Sequence, residues 1–155
     1  CEDLAGDSLN VYQLDAEHVA FYLLDVSGHG VRAALLCVAI SRILAPLPDR
    51  PSLVQRWNTH GSQLEPTPPQ VVAKELNRRF PLEPETCQFF TIFYGVLNLR
   101  TRKLRYICAG QSGPVLVPTT GPVRQLSRPA IAIGVVANSR GSQAAAELKK
   151  KVHPQ

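Results

Sequence analysis

The chain has 155 residues, 45% of them apolar and 19% charged, which is enough apolar material for one buried core and too much for a disordered chain. Its 13 prolines and 10 glycines show no Gly-X-Y period, so they mark turns rather than a fibre. The formal charge of +5 permits an acidic partner but is by itself only weak evidence for nucleic-acid binding.

No apolar run is long enough to span a bilayer. The most apolar stretch, 31–44, is broken by Arg32, Ser41 and Arg42. The first residues, Cys1-Glu2-Asp3, are acidic where a signal peptide is basic. We therefore expect a cytoplasmic location without membrane attachment. Met is absent even at position 1, which reads as a piece of a longer product. Cysteines stand at 1, 37, 87 and 108 with no C-x-x-C spacing, and Cys37 and Cys108 lie in apolar segments as small buried hydrophobes. The four histidines, at 18, 29, 60 and 153, show no zinc-ligand spacing either.

The first predicted unit is a hairpin, with strands at 9–14 and 18–26 around the turn Asp15-Ala16-Glu17. The run Val19 to Leu24 is nearly continuous in apolar residues and suits a strand buried on both faces. A helix follows at 31–44, apolar almost all round and therefore expected to be buried, and Pro46 and Pro48 stop it. Residues 50–65 read as an irregular surface excursion. A second helix is expected from Pro68 to Phe80, with Thr67 as N-cap, Gln70 in a capping-box position and Val72, Leu76 and Phe80 as its buried stripe. Strands are expected at 89–99 and 103–109, joined by the short link 100–102. A Gly-rich turn at 110–114 leads to a hairpin, 115–117 with 123–126, and a last apolar stretch at 131–136. From 139 to 155 the chain turns Ala- and Lys-rich and reads as an exposed helix or disorder. Two helices among antiparallel hairpins give an α+β domain.

Chemistry concentrates in the first quarter. Asp7 follows Gly6, and Asp25 ends a buried strand before Gly28-His29-Gly30. A carboxylate at the mouth of such a strand is costly to desolvate unless paired or metal-bound. Glycines let the backbone approach a ligand, and the helix behind them offers free N–H groups. These features predict a hard-cation or phosphate site near Asp7 and Asp25. The plainer alternative is that Asp25 caps the helix or accepts turn N–H groups.

Ala5-Gly6-Asp7, then Asp25-Val26-Ser27-Gly28-His29-Gly30 with Ala33-Ala34-Leu35, resembles the sporulation-protein-E/stress-regulator branch of the PP2C-like (PPM) phosphatases. Thr91, Tyr94-Gly95-Val96-Leu97, Leu104-Arg105-Tyr106, Ala109-Gly110 and Pro114-Val115-Leu116 match that family's central hairpin. The resemblance covers residues 2 to about 136. It implies an αββα sandwich, incomplete at both ends here, with residues 1–138 as the partial phosphatase domain and 139–155 as an atypical tail. It implies a metal-dependent serine/threonine protein phosphatase with two Mn²⁺ or Mg²⁺ ions. Asp25 would bridge both ions, Asp7 would hold one, and the Val26 carbonyl would add a ligand. Gly28, His29 and Gly30 would support the phosphate-side loop, with Ser27 a turn residue. A metal-bound water would attack phosphorus in line. The substrate implied is phosphoserine or phosphothreonine on a bacterial regulatory protein of the anti-sigma-factor-antagonist type. An upstream sensor or receiver domain is also implied.

Three departures qualify this. No Asp occurs after Asp49, so the carboxylates that the family supplies near its end are missing. Gln111 stands where a His is frequent. Arg102 replaces the Gly usual at the hairpin turn, which asks for a different loop there. We therefore expect this chain alone to be weakly active or inactive. The alternative is a non-catalytic phosphatase-like binding module. Arg78, Arg79, Arg100, Arg102, Lys103 and Arg105 form no nucleic-acid motif and read as solvated cations guarding strand edges.

Overall fold

In the computed structural model the described residues are 6–82, 88–126 and 129–135. Cys1, Cys87 and the tail at 139–155 lie outside them. A five-stranded sheet runs in the order β1-β2-β5-β6-β9. Its strands are β1 (Asp7–Gln13), β2 (His18–Val26), β5 (Phe90–Asn98), β6 (Lys103–Ala109) and β9 (Pro129–Ala130). The first four pair antiparallel, and β9 joins β6 in parallel. Two small hairpins complete it, β3 (Gln55–Trp57) with β4 (Leu64–Pro66) and β7 (Val115–Leu116) with β8 (Arg124–Gln125).

The helices α1 (Val31–Ile43) and α2 (Pro69–Arg79) share one core with a single face of the sheet. Period-two alternation sends Ala20, Tyr22, Leu24 and Val26 of β2 to that face, with Phe90, Ile92, Tyr94 and Val96 of β5. From the helices, Ala33, Cys37, Ile40, Val72 and Leu76 pack against them. The α+β class is as expected, with a helix layer on a largely antiparallel sheet.

The other sheet face is less covered. Leu9 is 70% exposed, and Val11 and Leu23 are also open. The run Val19 to Leu24 is thus buried on one face only, which corrects the two-faced reading. Toward the middle, Phe21, Phe93 and Tyr106 form an aromatic row with ring centroids 5.6 and 5.7 Å apart. Gly95 lies in the row, where a Cβ would meet the Phe21 ring at 3.0 Å. Helix α1 is not buried all round either. Ala33, Cys37 and Ile40 face inward, while Val31, Leu35 and Val38 are exposed.

Other local expectations change for identifiable reasons. The stretch 50–65 is no mere excursion. Val54 is buried, and the buried Gln55 side chain donates to the Leu14 carbonyl at 2.7 Å. Helix α2 begins one residue late, because Pro68 precedes Pro69 and takes the extended conformation that a following proline imposes (φ −55°, ψ 136°). Thr67 therefore does not cap it. Its buried hydroxyl has no hydrogen-bond partner. Arg102 itself adopts φ 54°, so the hairpin keeps its turn and accepts the strain instead of changing the loop. Of the stretch 131–136, only Ile133 pairs among the described residues, as a bridge to Phe90.

Candidate metal and phosphate site

The register of β1 and β2 sets Asp7 opposite Asp25. One residue on, the Val26 amide donates to the Gly6 carbonyl at 3.1 Å. That bond makes Asp7–Asp25 a narrow, non-hydrogen-bonded pair, whose Cα atoms stand about 4.5 Å apart with side chains close on one face. On the far side of Asp25, β5 places Thr91 in register with it. Two carboxylates and a hydroxyl thus sit abreast on the face away from the helices.

Glycines shape the surroundings. A Cβ on Gly6 would stand 2.8 Å from the Val26 carbonyl oxygen, so only glycine lets the chain reach Asp7 along this path. Gly110 has φ +74°, and a Cβ there would meet the Thr91 Cγ2 and Ala132 Cβ at 2.8 Å. Next to it, the Gln111 amide donates to Thr91 Oγ1 at 2.9 Å and to the Leu23 carbonyl at 3.4 Å. Asp7, Asp25, Thr91, Gly110, Gln111 and Ser112 line an open cleft of about 500 Å³. Thr91 entered the sequence reading only through a motif, and Gln111 only as a departure. Their meeting with the aspartates depends on strand order, which no local pattern reveals.

Like charges crowd this cleft. Desolvation pushes the Asp25 carboxyl above the usual carboxylate range, and the charge and hydrogen bond of Asp7 push it the same way. A cation between the two would relieve that repulsion. The donors available, two carboxylates and the nearby Val26 carbonyl, are hard oxygens that suit Mg²⁺ or Mn²⁺ with water completing the shell. They fit one such ion. Among the described residues no group of three or more His, Cys, Asp or Glu side chains gathers here or elsewhere, so a second ion finds no carboxylates of its own.

The structure separates the remaining predicted residues from the cleft wall. Asp25 does not cap α1. Gly30 is the N-cap, without a side-chain cap bond. Gly28 and Gly30 take φ of 90° and 80° and turn the chain from β2 into the helix. His29 is exposed on that turn. Ser27 serves the turn, its Oγ accepting from the Phe89 amide at 3.0 Å.

An aspartate pair on a helix-backed antiparallel sheet, followed by a glycine turn into a helix, is the arrangement that the resemblance to PP2C-like phosphatases implies for this region. Family comparison agrees. The Stage II sporulation protein E (SpoIIE) family model matches residues 15–152, and the chain belongs to that family. It is 29% identical over 112 residues to the phosphoserine phosphatase RsbP of Bacillus subtilis (strain 168), covering 70% of this chain and 24% of RsbP. Two solved structures share the fold. One holds the PP2C phosphatase domain and a regulatory-domain fragment of SpoIIE from Bacillus subtilis (TM-score 0.55, 18% identity, 84% of this chain and 34% of that one). The other holds the RsbU and RsbW domains of Rv1364c from Mycobacterium tuberculosis (TM-score 0.57, 21% identity, 87% of this chain and 35% of that one). The chain thus spans about a quarter of RsbP and about a third of each solved chain. Among the described residues no helix is long and apolar enough to cross a membrane.

Proposed function

We propose that this chain carries the aspartate half of a metal-dependent protein phosphatase site, acting on phosphoserine or phosphothreonine of a regulatory protein. The anti-sigma-factor-antagonist type is the substrate we favour, with an upstream sensor or receiver domain controlling access. The observation that carries this reading is the narrow Asp7–Asp25 pair facing Thr91 and Gln111 in an open cleft. Asp7, Asp25 and the Val26 carbonyl would hold Mn²⁺ or Mg²⁺. When bound, the ion supplies positive charge to the phosphoryl oxygens and acidifies water. Gln111 donates to Thr91 Oγ1, which orients that hydroxyl to donate its own proton to a phosphoryl oxygen. Gly110 keeps the backbone low enough for a phosphorylated side chain to enter. With one carboxylate pair in place of a full shell, metal affinity is low and turnover is weak or absent. A phosphopeptide assay with Mn²⁺ tests this. Slow release of phosphate, lost in Asp25→Asn, supports it, and turnover that survives Asp25→Asn contradicts it.

The absence of a third metal-ligating side chain beside the pair, among the described residues, favours a second reading, a binding module that recognises a regulatory partner without hydrolysis. It predicts phosphopeptide binding with no phosphate release and no Mn²⁺ binding up to millimolar metal.

A further inference from the structure

A second cavity, of about 420 Å³, lies at the other end of the sheet and on its other face. It is bounded by His18 at the start of β2, whereas Asp25 stands near that strand's end, about 23 Å away at the usual strand rise. His18 shares its face with Ala20 and Tyr22, and Asp25 faces the opposite way. The two sites are therefore separate.

The cavity lies between the helix-side face of the sheet, the entry to α2 and the β3–β4 hairpin. Alternation along β6 aims Lys103 and Arg105 at the same face as Val96 and Asn98 of β5. Arg56 also lines it, but Glu65 takes that guanidinium at 2.9–3.0 Å. The His18 ring is held by Asp15 at 2.9 Å on one side and by the Asn98 amide at 2.9 Å on the other. Lys103 and Arg105 remain as two cations with no ion pair to a carboxylate among the described residues. Like charges so placed attract an anion. The opposite wall is apolar, made by Pro66, Pro68 and Pro69. Thr67, 4% exposed, lies in that wall with its hydroxyl unpartnered. The volume falls in the range of small-molecule pockets.

We propose that this cavity binds a small organic phosphate, its anionic group between Lys103 and Arg105 and its apolar part against the proline wall. The site is independent of the aspartate cleft and binds without hydrolysis, because the two lining side chains that could ligate a metal are already held, His18 by Asp15 and Asn98 and Glu65 by Arg56.

The test is an amide NMR titration of the whole 155-residue chain in EDTA, which leaves the aspartate cleft without metal. Phenylphosphonate, a non-hydrolysable organic anion, is one probe and inorganic phosphate the other. We expect saturable shifts at Val96, Asn98, Lys103 and Arg105 with phenylphosphonate, at a Kd in the millimolar range or below. The double variant Lys103→Ser/Arg105→Ser should weaken binding at least tenfold, and Asp25→Asn should leave it unchanged. Both substituted side chains are exposed, and Lys103→Arg should retain binding, so charge loss is distinguishable from misfolding. Shifts centred on Asp7, Thr91 and Gln111, or binding that survives removal of both cations, would overturn the proposal. Equal affinity for inorganic phosphate would overturn its organic part, since the apolar wall would then contribute nothing.

Discussion

Asp7 and Asp25 meet as a narrow pair across β1 and β2, and this single register places two carboxylates where an ordinary antiparallel pair would avoid like charges. A fold gains nothing from that arrangement without a cation. The pair is stable only because both side chains remain open to water on the less covered face of the sheet. The same openness would give the phosphorylated segment proposed as substrate access to the cleft.

Gly110 is a constrained backbone position beside the cleft, with a positive φ and no room for a Cβ. Gly110→Ala meets Thr91 and Ala132 at 2.8 Å and forces a side chain into φ +74°. We expect a loss of about 2–4 kcal/mol in urea unfolding, from strain and overpacking together. A loss under about 0.5 kcal/mol, the size of a neutral surface change, would show that the turn can relax.

Arg102 occupies a left-handed conformation at φ 54° in the β5–β6 turn. Glycine adopts it without the Cβ clash, so Arg102→Gly should stabilise the chain by about 1 kcal/mol. The Asn98 side chain, which accepts from the Thr101 amide at 2.7 Å, holds the turn in both versions. Destabilisation by this substitution would mean that the Arg side chain makes a compensating contact.

Tyr94 is buried beneath the helices with a hydroxyl that has no hydrogen-bond partner. Burial drives its pKa upward. Tyr94→Phe removes a desolvated polar atom and keeps the ring, so stability should rise or stay level, by up to about 1 kcal/mol. A fall of that size would reveal a partner for the hydroxyl.

Glu75 binds Arg78 through both carboxylate oxygens at 2.7 and 2.9 Å, and Arg79 at 2.8 Å. Hydrogen bonds from Arg78 and then Arg79 lower its pKa from 4.5 to about 2. A depressed carboxylate favours the folded state above its unfolded pKa and loses that contribution as pH falls through the folded one. The stability difference between the wild type and Glu75→Gln should therefore be constant above about pH 5 and vanish toward pH 2. Because the group is exposed, the difference is small and salt-sensitive. A carboxyl NMR titration that finds Glu75 at its ordinary value would contradict this.

Much of the sheet was legible because its signals are local. His18 to Val26 and Lys103 to Ala109 keep their expected bounds, and the turn at Asp15-Ala16-Glu17 precedes β2 as anticipated. The β3–β4 hairpin was not legible. Its strands have three residues each, and it is bound partly by Arg56 with Glu65, a pairing that leaves no hydrophobic period. Exposure was misjudged for α1, since an apolar helix looks alike whether its far side is covered or not. At the candidate site, the glycine neighbours and strand ends of Asp7 and Asp25 single them out in the sequence, and the register sets them opposite each other. The place of Gln111 beside Thr91 depends on the pairing of β5 with both β2 and β6, which sequence spacing does not encode.

On the proposed reading, Asp7 and Asp25 together form one hard-cation site. Calorimetric titration of Mn²⁺ into the whole chain tests it most directly. Saturable binding near one ion per chain is expected, weakened at least tenfold, about 1.4 kcal/mol, by either Asp7→Asn or Asp25→Asn. No binding at millimolar Mn²⁺, or equal binding by wild type and both variants, would contradict it.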